Sequence, residues 1–301
     1  MVEKAKGKKR KKILVTGSSG MLGTAVSRKL AKNYAVIGLD NRADKLSVEH
    51  CDIADSKKTL EVIRGVRPAV IIHTAAWTDV DGCETDPGKA NRVNITGTEN
   101  VACGAASLNI PLLYISTDFV FDGKKKSSYT EVDLPNPLNV YAKSKLEGEK
   151  RVARLPKYVI LRTSWLFGEN GTNFVDTILR KVKSGEKLNV VDDQFGSPTY
   201  AKDLAQAIAA LIGYLIETDS ARDIFHVSNK GAVSWFDYAK EILRLAGNTD
   251  AALTSIKTKE LKAPAKRPAF SVLDNSKFEK AIGFTMRPWQ TALAEYIHEK
   301  Q

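Results

Sequence analysis

The sequence predicts a doubly wound α/β fold: a parallel sheet covered on both faces, with a smaller mixed α/β lobe towards the C-terminus. Three observations predict it. From Ile13 onward, short apolar runs alternate with longer amphipathic segments, and near-continuous apolar strands with helical spacers read as βαβ units. A glycine-rich turn follows the first apolar run, where a mononucleotide fold needs one. Past Trp165 the rhythm becomes irregular, as expected of a second lobe closing over the strand ends.

Taken in order, "ILVTG" and "MLGTAVSRKLAKN" give the first strand and helix, and "YAVIGLD" a second strand ending at Asp40. "TLEVIRGVRP" leads as a helix into "AVIIHTAAW". The long stretch "GKANRVNITGTENVACGAASLN" feeds "PLLYISTDFVF", the fifth strand, and "YVILRTSWLFG" follows the helix "NVYAKSKLEGEK". Crossovers should be right-handed. Beyond them, "NFVDTILRKVKSGEKLNVV" suggests a helix and a strand, and "SWFDYAKEILRLAG" another helix. These signals divide the chain into an arm at 1–12, a dinucleotide-binding part at 13–163 and a mainly substrate-binding lobe at 164–301. The apolar helix near 201–217 is expected to pack back onto the sheet.

Composition narrows the function. A chain of 301 residues with 43% hydrophobic and 27% charged residues is ordinary for a globular protein. No run approaches the roughly 18–20 apolar residues of a bilayer span, and the N-terminus lacks the apolar core of a secretory signal. Cys51, Cys83 and Cys103 have no C-x-x-C spacing, so a reduced, cytoplasmic setting is expected. The net charge of +11 invites a nucleic-acid reading, but "MVEKAKGKKRKK" alone carries +6. Such a charged, glycine-containing terminus reads as a solvated, disordered arm. It has no aromatic interleaving for base stacking, so neither nucleic acid nor membrane is expected as a partner. His50, His73, His226 and His298 show no ligand spacing, and no metal is expected.

"VTGSSGMLG" places Gly17, Gly20 and Gly23 between the first strand and its helix. Gly17 permits the sharp turn, Gly20 lets the backbone approach a pyrophosphate, and Gly23 allows close packing of helix on strand. Ser19 lies in the same loop. The helix start supplies unpaired N–H groups and a positive dipole end for phosphates. Asp40 can accept both hydroxyls of an adenosine ribose, which favours NADH. Arg42, two residues on, can meet the 2′-phosphate of NADPH instead, so both cofactors stay open. This is a Rossmann-like nucleotide end.

"STDFVFDG" closes the fifth strand, and in open α/β sheets ligands bind outside the carboxyl ends of the strands. Ser116, Thr117 and Asp118 fall there. Tyr141 and Lys145, four residues apart, share one face of the following helix. A tyrosine pKa of about 10 is high for protonating a carbonyl near neutrality. A lysine ammonium one turn away can lower it, while the Thr117 hydroxyl binds the same substrate oxygen. Thr117, Tyr141 and Lys145 therefore form a coherent proton-transfer set.

With these motifs the chain resembles the extended short-chain dehydrogenases/reductases. More narrowly, "AAWTDVDGCE", "STDFVFDG", "PLNVYAKSKLEGE", "RTSWLFG", "DDQFGSPT" and "RPAFSVLD" are similar to the dTDP-4-dehydrorhamnose reductase family. The resemblance runs from Ile13 to the end and implies reduction of the C4 ketone of a dTDP-sugar by NADPH or NADH. It implies that Gly20, Met21 and Leu22 meet the pyrophosphate through backbone groups. Asp40, Asp52 and Ile53 would line the adenosine site, and Ala75, Ala76, Trp77 and Thr78 the middle of the cofactor. Ile115 and Ser116 would back the nicotinamide, and Thr117, Asp118 and Trp165 would meet the sugar nucleotide. Trp77 stands where some members carry histidine. Some members dimerise around a metal ion, which leaves a homodimer open, although those carboxylates do not map onto this chain.

Two other readings share the pattern. A sugar-nucleotide dehydratase of this superfamily carries an Asp-Glu pair after the threonine, whereas Asp118 is followed by Phe119; a 4-epimerase is harder to separate. A non-catalytic partner of methionine adenosyltransferase has the same fold and the same resemblance, but it needs no proton donor.

Overall fold

The computed structural model describes residues 10–42, 49–218 and 221–300. The chain runs β1 (Lys12–Thr16), α1 (Met21–Leu30), β2 (Ala35–Asp40), β3 (Glu49–His50), α2 (Ser56–Val66) and β4 (Val70–His73). A π-helical stretch (Asn91–Gly97) then opens α3 (Thr98–Leu108), which leads to β5 (Leu112–Thr117), α4 (Val140–Val152) and β6 (Tyr158–Thr163). The later elements include α5 (Phe174–Lys183), α6 (Ala201–Glu217), β7 (Arg222–His226), α7 (Trp235–Leu245) and α8 (Trp289–His298).

Among the described residues, seven strands form one sheet in the order β7–β6–β5–β4–β1–β2–β3, and every ladder in it is parallel. The order reverses between β1 and β4, whose ends meet at Thr16 and His73. That reversal opens the crevice in which an α/β sheet takes its ligand.

The apolar runs are continuous because both faces of the sheet are covered. Alternate residues divide between two cores. Ile13, Val15, Val70, Ile72, Leu113, Val159 and Leu161 face α1 and α6. Leu14, Ile71, Leu112, Tyr114 and Ile160 face α2 and α3. Helix α6 packs on the first of these faces, with Leu204, Ile208, Leu211, Ile212 and Leu215 in the first core beside Val26 and Leu30. Fully burying a Leu or Ile side chain is worth about 1.5–3 kcal/mol, so this face holds α6 in place. Side-chain caps set other helix starts: Asp55 accepts from Lys58 N at 3.0 Å on α2, and Asn139 from Ala142 N at 2.8 Å on α4.

Two boundaries differ from the sequence reading. Lys12 belongs to β1, paired with Ala35, and its Nζ donates to Val66 O at 3.0 Å. Arg10 reaches Ala31 O at 3.1 Å. Residues 10–12 are thus tied to the fold, and the rest of the expected arm, residues 1–9, lies outside the described residues. At the other end, β7 adds a seventh strand to the sheet from within the second lobe. The edge alternation "RDIFH" is too short and too polar to stand out as a strand.

The rest of the second lobe packs α5, α7 and α8 around Phe167, Tyr200, Tyr238 and Trp289, beside a parallel pair at 188–191 and 253–256. From this lobe a strap, residues 265–273, crosses back over the nucleotide-binding part. Arg267 pairs with Asp81 at 2.7 Å, Asn139 Nδ2 donates to Lys266 O at 2.7 Å, and Tyr129 bridges to Leu273.

Candidate active site

The glycine loop is shaped by contacts that leave no room for side chains. Gly17 has φ +68, a left-handed conformation that glycine adopts freely. A Cβ on it would lie 2.7 Å from Ala75 Cα, across the crevice. A Cβ on Gly23 would lie 2.0 Å from Gly17 O, so α1 packs directly on the turn. Gly20, by contrast, would meet only Gly17 O at 3.3 Å and is otherwise open. It is also the N-cap of α1, without a side-chain cap and with no acid in the first turn. The N–H groups at Met21 and Leu22 are thus presented with the positive end of the helix dipole. This donor set fits a pyrophosphate. The Leu22 side chain is in the core, which leaves only its backbone for a ligand. Met21 lies under the 168–171 loop, against Gly171.

Asp40 is 5% exposed at the tip of β2. Its carboxylate accepts from Ser19 N and Arg42 N, each at 3.1 Å. Arg42 is exposed and 3.7 Å from it. Asp40 thereby ties the glycine loop to the strand end, with the exposed Arg42 guanidinium beside it on the same rim. Asp52 is held by Ala54 N at 2.9 Å and Arg92 at 2.7 Å. Ile53 points into the core against Gly97, so its side chain supports α3 and only its backbone is left to flank an adenine.

The middle of the crevice is organised by a residue that no motif announced. Asn94, fully buried in the π-helical stretch, accepts from Trp77 N at 2.8 Å and donates to Trp77 O at 3.0 Å and Ser144 Oγ at 2.9 Å. Ser144 in turn donates to Tyr141 O at 2.7 Å. One amide therefore fixes the Ala75–Ala76–Trp77 segment against the helix that carries Tyr141 and Lys145. π-Helical turns are often found at functional sites; here the irregular turn brings Asn94 inward. Thr78 is exposed, and the Trp77 ring lies under Lys89 Nζ at 4.2 Å.

At the carboxyl end of β5 the three proposed catalytic residues are all buried: Thr117 at 6%, Tyr141 at 9% and Lys145 at 3% exposure. Burial raises the Tyr141 phenol above its usual value, and the neighbouring Thr117 hydroxyl opposes the rise. The lowering by Lys145 expected from their spacing is not what the residues produce by themselves. Lys145 Nζ lies 4.1 Å over the Tyr114 ring, in a pocket dry enough to lower the lysine to about 7, against the opposing charge of Glu149. The tyrosine is consequently a protonated donor near neutrality, and the lysine titrates in the working range.

Asp118 is 2% exposed. Burial lifts its carboxyl to about 7, and hydrogen bonds from Ser271 and Thr117 oppose the rise. Thr117 Oγ1 donates to it at 3.1 Å, and the Ser271 hydroxyl donates from the strap. Both oxygens are thus engaged by hydroxyls, and each keeps a lone pair with which to accept a further hydrogen bond. Ser116 Oγ donates to Glu149 at 2.5 Å, away from the crevice, and Ile115 joins the α1–α6 core. Neither Ser271 nor Glu149 has a sequence signal beyond lying in a quoted motif.

His73, at the end of β4, is buried between Thr16 (2.7 Å) and Thr98 (3.0 Å). Burial and the Lys145 charge lower it to about 3. It is a neutral structural link. Trp165 is half-buried, with φ +45, a strained conformation for a large residue. Its ring stacks on Trp235 with centroids 3.4 Å apart, and a Cβ on Gly196 would lie 2.4 Å from its Cε2. One face of Trp165 is therefore committed to the second lobe.

The class follows from the topology. A Tyr-x-x-x-Lys helix crossing beside the switch point of an all-parallel sheet is the layout of an extended short-chain dehydrogenase/reductase. The family model described as RmlD substrate binding domain matches residues 11–301, and the chain belongs to that family. It is 38% identical over 291 residues to a dTDP-4-dehydrorhamnose reductase from Aggregatibacter actinomycetemcomitans, covering 94% of this chain and 97% of that one. Two solved structures share the fold with a TM-score of 0.88, each covering 96% of this chain and 99% of theirs. One is a dTDP-4-dehydrorhamnose reductase from Clostridium acetobutylicum, at 40% identity. The other is a dTDP-4-dehydrorhamnose reductase from Bacillus anthracis in complex with NADP, at 35% identity.

Proposed function

We propose that the protein reduces the C4 ketone of dTDP-4-dehydro-L-rhamnose to give dTDP-L-rhamnose, the last step of dTDP-rhamnose biosynthesis, with NADPH or NADH as reductant. The observation that carries this reading is the burial of Thr117, Tyr141 and Lys145 together at the strand ends, beside a glycine loop built to receive a pyrophosphate. The Met21 and Leu22 amides hold the phosphates, and Asp40 and Arg42 line the ribose rim. The reduced nicotinamide supplies the hydride for C4. Tyr141 donates its phenolic proton to the C4 oxygen, with Thr117 hydrogen-bonding the same oxygen. Lys145 stabilises the phenolate left behind. Trp165 borders the sugar, and residues 164–301 mainly shape the substrate pocket.

In the same reading the enzyme is cytoplasmic, acts on a dTDP-sugar and engages neither nucleic acid nor membrane. A homodimer is compatible with it. Among the described residues no helix is long and apolar enough to cross a membrane. Purified protein given dTDP-4-dehydro-L-rhamnose with NADPH, and separately with NADH, tests the proposal when the sugar product is identified by NMR. Oxidation of the cofactor with formation of dTDP-L-rhamnose is expected. An unchanged ketosugar with both cofactors would overturn it and favour a non-catalytic partner role.

A further inference from the structure

Among the described residues, the buried polar side chains of 116–118 and 162–164 are hydrogen-bonded within the protein, with one exception. Ser116 and Arg162, opposite each other on β5 and β6, clamp the carboxylate of Glu149. The serine hydroxyl donates at 2.5 Å, and the guanidinium through Nε at 2.9 Å and Nη2 at 2.7 Å. Thr117 Oγ1 donates to Asp118 at 3.1 Å, and Ser164 Oγ to Ser197 O at 2.6 Å. Thr163 is the exception. It closes β6 directly opposite Thr117 and is 4% exposed, and its Oγ1 is buried without a hydrogen-bond partner. A hydroxyl left unsatisfied in a dry place is destabilising, and such an atom in a native fold calls for an explanation.

Its place in the sheet decides what it can meet. Side chains alternate between the two faces of a strand. Thr163 therefore continues the row of Val159 and Leu161, and Thr117 that of Leu113 and Ile115, on the face of α1 and α6. From this side the glycine loop and the start of α1 present their amides. Ser19 Oγ, in that loop, is likewise buried without a partner. A nicotinamide carries its carboxamide on the ring carbon next to the one that gives up hydride. A ring that delivers hydride beside Thr117 thus brings an amide to within about the 4.8 Å that separates neighbouring strands. On one side of β5, at the end of β4, both nitrogens of His73 are taken by Thr16 and Thr98. On the other side stands Thr163, whose hydroxyl can donate and accept, as an amide does. The next two residues turn to the second lobe, Ser164 to Ser197 O and Trp165 to Trp235.

We infer that Thr163 is a cofactor-binding residue whose hydroxyl pairs with the carboxamide of the nicotinamide. The inference rests on the dinucleotide reading of the crevice, and its test needs no turnover. Calorimetric titration uses the reduced cofactor, NADPH or NADH, that the wild type binds more tightly. It is repeated with the matching fragment that lacks the nicotinamide, 2′-phospho-ADP-ribose or ADP-ribose. Thr163→Val keeps the shape and removes the hydroxyl. It should bind the whole cofactor about 10-fold more weakly and the fragment as tightly as the wild type does. Thr163→Ser keeps the hydroxyl and should restore most of the affinity. Without ligand, Thr163→Val should melt no lower than the wild type, since the hydroxyl it removes is bonded to nothing. Should the valine variant fail to fold, Thr163→Ala takes its place in the titrations. Unchanged affinity for the whole cofactor in a folded variant overturns the inference, and so does an equal loss for cofactor and fragment. A wild type that shows the expected dependence on Thr163 yet leaves the ketosugar untouched upholds the inference and overturns the proposed reduction instead.

Discussion

Replacing Gly23 by alanine tests the cofactor site at the point where the geometry is most demanding. The added methyl would stand 2.0 Å from Gly17 O and 2.8 Å from Ser18 Cα, both backbone atoms. Ordinary contact begins near 3.4 Å, so the first turn of α1 has to retreat by about 1.4 Å. A hydrogen bond of about 2.9 Å stretched by that distance is no longer one. Each lost bond to a charged phosphate removes about 1.5–3 kcal/mol, so one broken bond weakens NADPH roughly 10–150-fold. Overpacking adds about 1–3 kcal/mol of destabilisation. Calorimetric titration with NADPH and thermal unfolding read the two effects separately. Gly65→Ala and Gly213→Ala are controls: both positions are helical, and a Cβ there meets nothing within 4 Å. They should bind NADPH normally and gain about 0.5–1 kcal/mol of stability. Wild-type affinity in Gly23→Ala would refute the claim that this contact sets the loop.

Three further outcomes are expected. Tyr141→Phe keeps the ring but removes the proton donor, so turnover should drop about 10²–10⁴-fold while a fluorescence titration shows little change in cofactor affinity. Asp40→Ala should weaken NADH more than NADPH, and Arg42→Ala the reverse, in dissociation constants measured for both cofactors; equal effects would mean that neither side chain reads the ribose 2′ position. The Asp118 carboxyl, raised to about 7 by burial despite its hydrogen bonds, binds a proton more tightly folded than unfolded, where its pKa is about 3.9. Its contribution to stability is therefore full below about pH 4 and is lost as pH rises through about 7. Melting wild type and Asp118→Asn side by side from pH 5 to 8 should show the wild type losing ground to the variant.

What was legible in the sequence depended on the range of the interaction behind it. The sheet strands stood out because burial on both faces leaves almost no polar residue in runs such as "ILV" and "VII". The glycine loop was legible because three close approaches impose three glycines at short spacing. Tyr141 and Lys145 could be paired because a helix fixes the relation of i to i+4. Asn94 could not be found this way: its partners Trp77 and Ser144 lie 17 and 50 residues away, and an asparagine within a helical stretch has no period of its own. The clamp between Glu149 and Arg162 joins a helix to a strand 13 residues on, and its meaning depends on burial that one-dimensional pattern does not carry. Ser271 reaches Asp118 across 153 residues. The acidity of Tyr141 could not be read this way, because spacing places Lys145 one turn away but does not report the burial that raises the phenol in the protein by itself.

The return of β7 to the edge of β6 also sets a timetable for biosynthesis. Arg162 and His226 stand on these neighbouring strands although 64 residues separate them in the chain. At roughly 5–20 residues per second, a ribosome delivers His226 roughly 3–13 s after Thr163. Through that interval the emerging β6 has a row of unpaired N–H and C=O groups, the template along which foreign strands add, and the face awaiting α6 is bare. A nascent chain halted after β6 has cleared the exit tunnel but before that partner strand has emerged should therefore be held by chaperones. One halted well past residue 226, with that strand clear of the exit tunnel, should release them.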